Sequence, residues 1–276
     1  MKVSSQPYQE SLWLLSHLLN EKKSFSHENE ILQKIYLGQI KITEKQEQIF
    51  WDKIQRRKNN YPLDYLLERK HFLNHSFYIQ PGVFIPRKET EVLVTKIFKQ
   101  YPQNQALKIM DWGAGVGTIA LSLLAYFFKS ECFVVDIHEK SLDCLKKNKD
   151  LFGFKDRVFI LKEDVSHLKK ENFIKSVDLI VANPPYIDPK DEKLHSQVYW
   201  FEPCVALFSD QKGMGHIYSW FYQALDFLKS GAYYAFEFGW NQSQLVRDFL
   251  KTQKNISYEI LKDSLTYDRV AFVCKR

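Results

Sequence analysis

Leu107-Lys108-Ile109-Met110-Asp111-Trp112-Gly113-Ala114-Gly115-Val116-Gly117 is the stretch on which the fold turns. Its first five residues read as a short strand of the buried type, and the run Thr118 to Phe128 after the glycines reads as a helix. A glycine-rich turn between strand and helix lets backbone N–H groups approach a ligand closely. The spacing is GxGxG, not the GxGxxG of dinucleotide folds, and Asp111 stands at the strand end beside the loop. A carboxylate there suits a positive amino group, such as that of a methionine moiety, and repels a pyrophosphate.

Downstream, strands and helices alternate. Strands are expected at about 107–111, 131–136, 157–161, 177–182 and 231–238, with helical stretches between them. Two further apolar runs, about 256–261 and 269–274, are separated only by Lys262 to Asp268. That connection is too short for a crossover helix, so the two should pair antiparallel. The expected fold class is therefore α/β, a Rossmann-like, mostly parallel sheet whose last strand is antiparallel.

Two more strand ends carry acids. The second strand closes on Asp136, 19 residues after Gly117, where a carboxylate accepts from ribose hydroxyls. The third ends at Glu163-Asp164-Val165, where Asp164 can accept from the exocyclic amine of adenine and Val165 can pack on its ring. Asp164 as a plain helix cap fits the same position. Together the three strand ends, with Asp111, Gly113, Ala114, Gly115, Val116 and Gly117, point to S-adenosylmethionine rather than NAD.

The fourth strand, Val177 to Ala182, runs into Asn183-Pro184-Pro185-Tyr186. Each proline fixes its own φ, offers no N–H, and holds the preceding residue extended. The loop thus presents acceptors, the Asn183 side-chain oxygen and the Pro184 carbonyl, which match the two donors of an NH₂ group. Tyr186 supplies a flat face for a planar amide or base. Such a nitrogen is a poor nucleophile, and accepting both N–H bonds aims its lone pair. Transfer of a methyl group is then mainly a matter of positioning. Asn183, Pro184 and Tyr186 are the candidate catalytic residues. Adenine and glutamine satisfy the loop equally.

The N-terminal residues from about 8 to 69 read as helical, with Leu12, Leu15, Leu18 and Leu19, then Ile31, Ile35 and Tyr36, then Ile49, Phe50 and Ile54 at helical spacing. Thr43 with Gln46 resembles a capping box. From His71 to Arg87 the apolar residues cluster around Asn74 and Pro81-Gly82, as in a short antiparallel hairpin. The expected organisation is a helical domain at 1–70, a hairpin linker at 71–88 and a catalytic domain at 89–276.

Composition sets outer limits. Of 276 residues, 45% are apolar and 26% charged, which suits a soluble chain of one domain plus a smaller one. A formal charge of +6 is too mild to argue for a nucleic-acid partner. The local basic runs, Arg56-Arg57-Lys58 and Lys146, Lys147 and Lys149, read as solvated helix faces. Cys132, Cys144, Cys204 and Cys274 lack CxxC spacing and the histidines lack HxxxH pairing, so neither a metal site nor a disulfide is expected. Met1 to Pro7 lacks a signal-peptide core, and the longest apolar run is too short to span a bilayer. A cytoplasmic monomer without membrane contact is expected.

The motifs together resemble the glutamine methyltransferases that modify the GGQ loop of peptide chain release factors. Pro62-Leu63-Asp64-Tyr65-Leu66 and Phe84-Ile85-Pro86-Arg87-Lys88-Glu89-Thr90-Glu91 look like that family's two linker signatures. The Asp111 loop, Asp136 and Asn183 to Ile187 follow in family order, then Glu202-Pro203 with Ala206-Leu207, Glu237-Phe238-Gly239 with Gln242, and Asp268-Arg269-Val270. Trp112 and Ala114 depart from the usual cofactor loop, Val165 stands where some members carry an aromatic, and Gly213-Met214-Gly215 matches only loosely.

The resemblance implies a helical domain that docks a class I release factor and a Rossmann-like domain that binds S-adenosylmethionine and releases S-adenosylhomocysteine. Gly113 to Gly117, Asp136, Val165 and Asn183 would line the cofactor, and Asn183, Pro184, Pro185 and Tyr186 the glutamine. Phe84, Pro86, Arg87 and Glu91 would shape the glutamine channel. Glutamine methylation of a ribosomal protein and adenine methylation of DNA or RNA are the alternatives; roughly balanced acids and bases in the N-terminal helices count against nucleic acid.

Overall fold

The computed structural model describes residues 6–19, 33–169, 177–191 and 200–276. The expected helical residue Ile31 and the start Met1 to Ser5 lie outside them.

The chain opens with α1 (Pro7–Leu19), α2 (Glu44–Lys58) and the single turn α3 (Leu63–Leu66). α2 starts where Thr43 accepts from Gln46 N at 3.3 Å while Gln46 Oε1 accepts from Thr43 N at 2.9 Å, the reciprocal cap expected there. Leu14, Leu66 and Leu67 are buried together, with Trp13, Phe50 and Ile54 packed around them. The basic run at 56–58 is less solvated than its composition suggests. Arg57 clasps Glu10 through Nε at 2.7 Å and Nη2 at 3.1 Å, and Arg56 lies 4.1 Å over the Tyr61 ring.

β1 (Arg69–Phe72) and β2 (His75–Tyr78) form the antiparallel hairpin, with Leu73 at φ +50° in its turn. The hairpin begins inside the stretch read as helical, because its strands are four residues each, too short to show a period of their own. The apolar run after Pro81-Gly82 forms no strand: Val83 and Ile85 are instead buried against Val116, Cys144 and Tyr65.

The main sheet holds seven strands in the order β5-β4-β3-β6-β7-β9-β8. They are β3 (Lys108–Trp112), β4 (Glu131–Asp136), β5 (Val158–Lys162), β6 (Val177–Ala182), β7 (Leu228–Glu237), β8 (Ile256–Lys262) and β9 (Asp268–Lys275). β3 to β7 pair in parallel, and β9 inserts antiparallel between β7 and β8. The closing pair thus has the expected sense. β7 starts earlier than its apolar pattern, at Leu228, because a register shift opposite Val177 to Leu179 and the φ of +80° at Gly231 break the alternation.

Alternate residues feed two cores. Ile109, Leu179 and Val181 face α4 (Glu91–Gln100), α5 (Thr118–Tyr126) and α6 (Glu139–Phe152). Met110, Trp112, Ile180 and Ala182 face α7 (Gly215–Phe227) and α8 (Ser243–Thr252). Covered on both faces, the inner strands are almost uniformly apolar, as a parallel sheet requires. Among the described residues no helix is long and apolar enough to cross a membrane.

Candidate active site

The strand order reverses between β3 and β6, and in open parallel sheets ligands bind beyond the strand C-termini at such a point. A cavity of about 290 Å³ lies there. Its wall joins Gly113 and Gly115 after β3, Asp136 after β4, Asp164 and Val165 after β5, and Asn183 to Tyr186 after β6. Phe84 and Arg87 close one side.

The β3 turn is built by backbone conformation. Gly113, Gly115 and Gly117 have φ of +65°, +57° and +89°, a region costly for any residue with a Cβ. Gly113 also has Trp220 3.1 Å from where a Cβ would sit, whereas Gly115 faces open space. Asp136 braces the turn: its Oδ2 accepts from Gly115 N and its Oδ1 from His138 N, both at 2.7 Å. Asp164 takes the cap role, accepting from Ser166 N at 2.8 Å, and also lines the cavity. Ala114, Val116 and Gly117 sit behind the wall as buried support rather than in it.

Asp111 is fully buried. Its Oδ2 accepts from Ala120 N at 3.0 Å in the first turn of α5, while its Oδ1 has no partner. Burial pushes the carboxyl up to about 8 against the smaller pull of the Ala120 N–H, with the Asp136 charge adding to the rise. A buried carboxylate oxygen without a donor is costly. Asp111 is not itself part of the cavity wall, but a cationic group held in the adjoining turn would relieve it, as the amino group of a methionine-type cofactor could.

On the acceptor side, Asn183 Nδ2 donates to Thr90 Oγ1 at 3.3 Å. Thr90 in turn donates to Glu237 Oε2 at 2.6 Å, and Tyr186 Oη donates to Glu237 Oε1 at 2.9 Å. Glu237 is fully buried at the end of β7; burial raises its carboxyl, while the Thr90 and Tyr186 hydroxyls and the Arg269 charge pull it back. Burial first, then the Glu237 charge, push the Tyr186 phenol well above its usual range, so it keeps its proton. Gln242 Nε2 donates to Tyr186 O at 2.8 Å, and any side chain at Gly213 would collide with that same carbonyl. The loosely matched Gly213-Met214-Gly215 segment thus locks the Asn183 to Tyr186 loop from behind.

Glu202, buried after the undescribed residues 192–199, accepts from Ile85 N at 3.0 Å and from Arg87 Nη2 at 2.5 Å. Arg87 also lies 5.0 Å over the Phe84 ring. Tyr65 ties the same segment down, donating to Val83 O at 2.5 Å. Of the expected channel residues, Phe84 and Arg87 line the cavity, whereas Pro86 and Glu91 do not; Glu91 is held elsewhere. Its Oε1 accepts from Leu73 N at 2.8 Å, which commits it to the hairpin turn and keeps it out of the cavity wall. His138, Ser141, His216 and Trp220 line the cavity without having been singled out in the sequence. Trp220 comes from α7, more than 100 positions from the turn it covers, so nothing near Gly113 announces it.

Comparison with known proteins agrees with this geometry. Residues 74–201 match the model of the methyltransferase small domain, and with the sheet order this makes the chain a Rossmann-like methyltransferase. Among curated relatives, a release factor glutamine methyltransferase of Francisella tularensis is 34% identical over 219 residues, 79% of this chain and 76% of that protein. One from Buchnera aphidicola (Baizongia pistaciae) is 29% identical over 98% of this chain and 92% of its own, and that of Escherichia coli 29% over 90% and 84%. The chain belongs to the release factor glutamine methyltransferase family.

Proposed function

We propose that the protein transfers a methyl group from S-adenosylmethionine to the side-chain amide nitrogen of the GGQ glutamine in class I release factors. The observation that carries this reading is that one cavity is walled both by the glycine turn with Asp136 and by Asn183 to Tyr186. Bound there, S-adenosylmethionine would supply a methyl group on a sulfonium and depart as S-adenosylhomocysteine.

The chain's own residues do the rest by positioning. Asp111 would face the cofactor's amino group, Asp136 the ribose, and Asp164 with Val165 the adenine. Asn183 Oδ1 and the Pro184 carbonyl would accept the two N–H bonds of the acceptor amide, holding its lone pair toward the methyl group. Tyr186 would pack on the amide plane, Pro185 would keep the loop rigid, and Phe84 and Arg87 would border the glutamine. Such fixing of two reactants removes about 7–11 kcal/mol of barrier in favourable cases. Once methylated, the nitrogen is positive and acidic, and it releases a proton to solvent without a dedicated base. Residues 1–70 serve as the docking element for the release factor, 71–88 as the linker and 89–276 as the catalytic unit.

The test is transfer of label from methyl-labelled cofactor to a release factor, to the same factor with its GGQ glutamine changed to alanine, to ribosomal protein and to DNA. Label is expected in the first alone. Label in the ribosomal protein or DNA instead overturns the reading. Asn183→Ala should lower transfer by about 100-fold or more, the range for losing a well-placed polar group in a reacting site, with cofactor binding little changed.

A further inference from the structure

Tyr186 and Thr90 converge on one carboxyl group outside the cavity wall, and Asn183 is joined to it through Thr90. Glu237 accepts from both hydroxyls that touch it, Thr90 at 2.6 Å and Tyr186 at 2.9 Å, so both point their protons inward. With its proton spent on Glu237, the Thr90 oxygen can only accept from Asn183. That is the observed sense, Nδ2 to Oγ1 at 3.3 Å. Turning the Asn183 amide over would set its oxygen against a Thr90 oxygen that has no proton left to offer. The side-chain oxygen is thereby turned away from Thr90, toward the cavity that Asn183 lines.

We propose that Glu237 and Thr90 are positioning residues that fix which way round the Asn183 amide stands, and so make the site choose an NH₂ group over a carboxylate. An unanchored Asn183 could present either its oxygen or its NH₂, leaving only the Pro184 carbonyl to tell glutamine from glutamate. An anchored one presents only an acceptor. Hydrogen-bond direction is thus transmitted from a buried carboxyl group through one hydroxyl to the selecting atom. Glu237 and Thr90 touch neither reactant; they act through Asn183. The groups around the carboxylate are Arg269, Glu89, Tyr186 and Thr90.

The inference rests on glutamine as the acceptor, so label transfer from the wild-type enzyme to the release factor is measured first; its absence defeats that reading and not the relay. Binding of the release factor and of its GGQ-to-GGE variant is then compared for wild type, Thr90→Val and Thr90→Ser. Thr90→Val should shrink the preference for glutamine by roughly tenfold, the worth of one hydrogen bond, and lower kcat without moving the KM for cofactor. Thr90→Ser keeps the hydroxyl and should restore both. A Thr90→Val enzyme with the wild-type preference overturns the relay. Proton exchange at the Asn183 side-chain amide of the wild-type protein needs no variant. One Nδ2 proton should exchange slowly, and exchange of both at the rate of exposed amides overturns the proposal.

Discussion

At the scale of the residue, Asp111 shows a buried carboxyl kept at a cost to the fold. Its carboxyl is raised to about 8 by burial, with one oxygen unpartnered. In the unfolded chain an aspartate loses its proton near 4. Between these values the folded state therefore binds more protons than the unfolded one, so the ligand-free protein loses stability as pH rises through that window. Binding of an amino-bearing cofactor should favour the ionised form, and its affinity should rise with pH up to about 8. Asp111→Asn should flatten that profile and weaken the cofactor by about 10–100-fold, the range for losing a charge-assisted hydrogen bond. Calorimetric titration from pH 6 to 9 reads both; an unchanged slope in the variant removes Asp111 from the site. Asp111 is visible in the sequence as a strand-end acid. Its burial is not, because that depends on α5 starting directly above it.

At the scale of the element, the hairpin is attached to the glycine turn through one side chain. Asn148, fully buried on α6, accepts from Tyr78 N at 2.7 Å and donates to Tyr78 O at 3.0 Å and to Val116 O at 2.9 Å. It saturates both backbone groups of a β2 residue and reaches the turn with its second donor. Asn148→Ala leaves these buried groups unpaired, which should cost about 2–4 kcal/mol, with the unfolding slope in urea unchanged. Cofactor affinity should fall with it, since Val116 belongs to the turn. A loss below about 0.5 kcal/mol, the level of an ordinary surface change, would show that the staple is idle. The hairpin's existence follows from Asn74 and the apolar residues on either side. Its limits do not, since strands this short look like the end of the preceding helical run.

At the scale of the whole molecule, the cavity exists only where β3, β4, β5 and β6 end together, so a bound cofactor joins segments far apart in the chain. A ligand that binds only the folded state stabilises it by about 2.7 kcal/mol at 100 times its Kd. For a chain of this size that corresponds to a Tm higher by roughly 5–10 °C. S-adenosylmethionine and S-adenosylhomocysteine should both produce it and NAD should not. Thermal denaturation with each ligand checks this, and an equal shift with NAD would contradict the strand-end assignment.

The positions and sense of the strands, the glycine turn and the Asn183 to Tyr186 loop were all determined by the sequence itself, because each is local, whereas the order of the strands in the sheet is not. Parallel strands covered on both faces must be apolar throughout, a positive φ calls for glycine, and two prolines stiffen a loop wherever they stand. The partners of Asn183 were decided only by the tertiary structure. Thr90 lies 93 residues before it, and the Glu237 that orders both lies 147 beyond Thr90. The Glu202 clasp on Arg87 spans 115 residues, and Glu91, which looks equivalent to Arg87 in the same motif, turns to the hairpin instead. A side chain's type fixes what it can donate or accept. Which group it meets is set by how helices and strands pack, and no stretch of sequence near either partner records that.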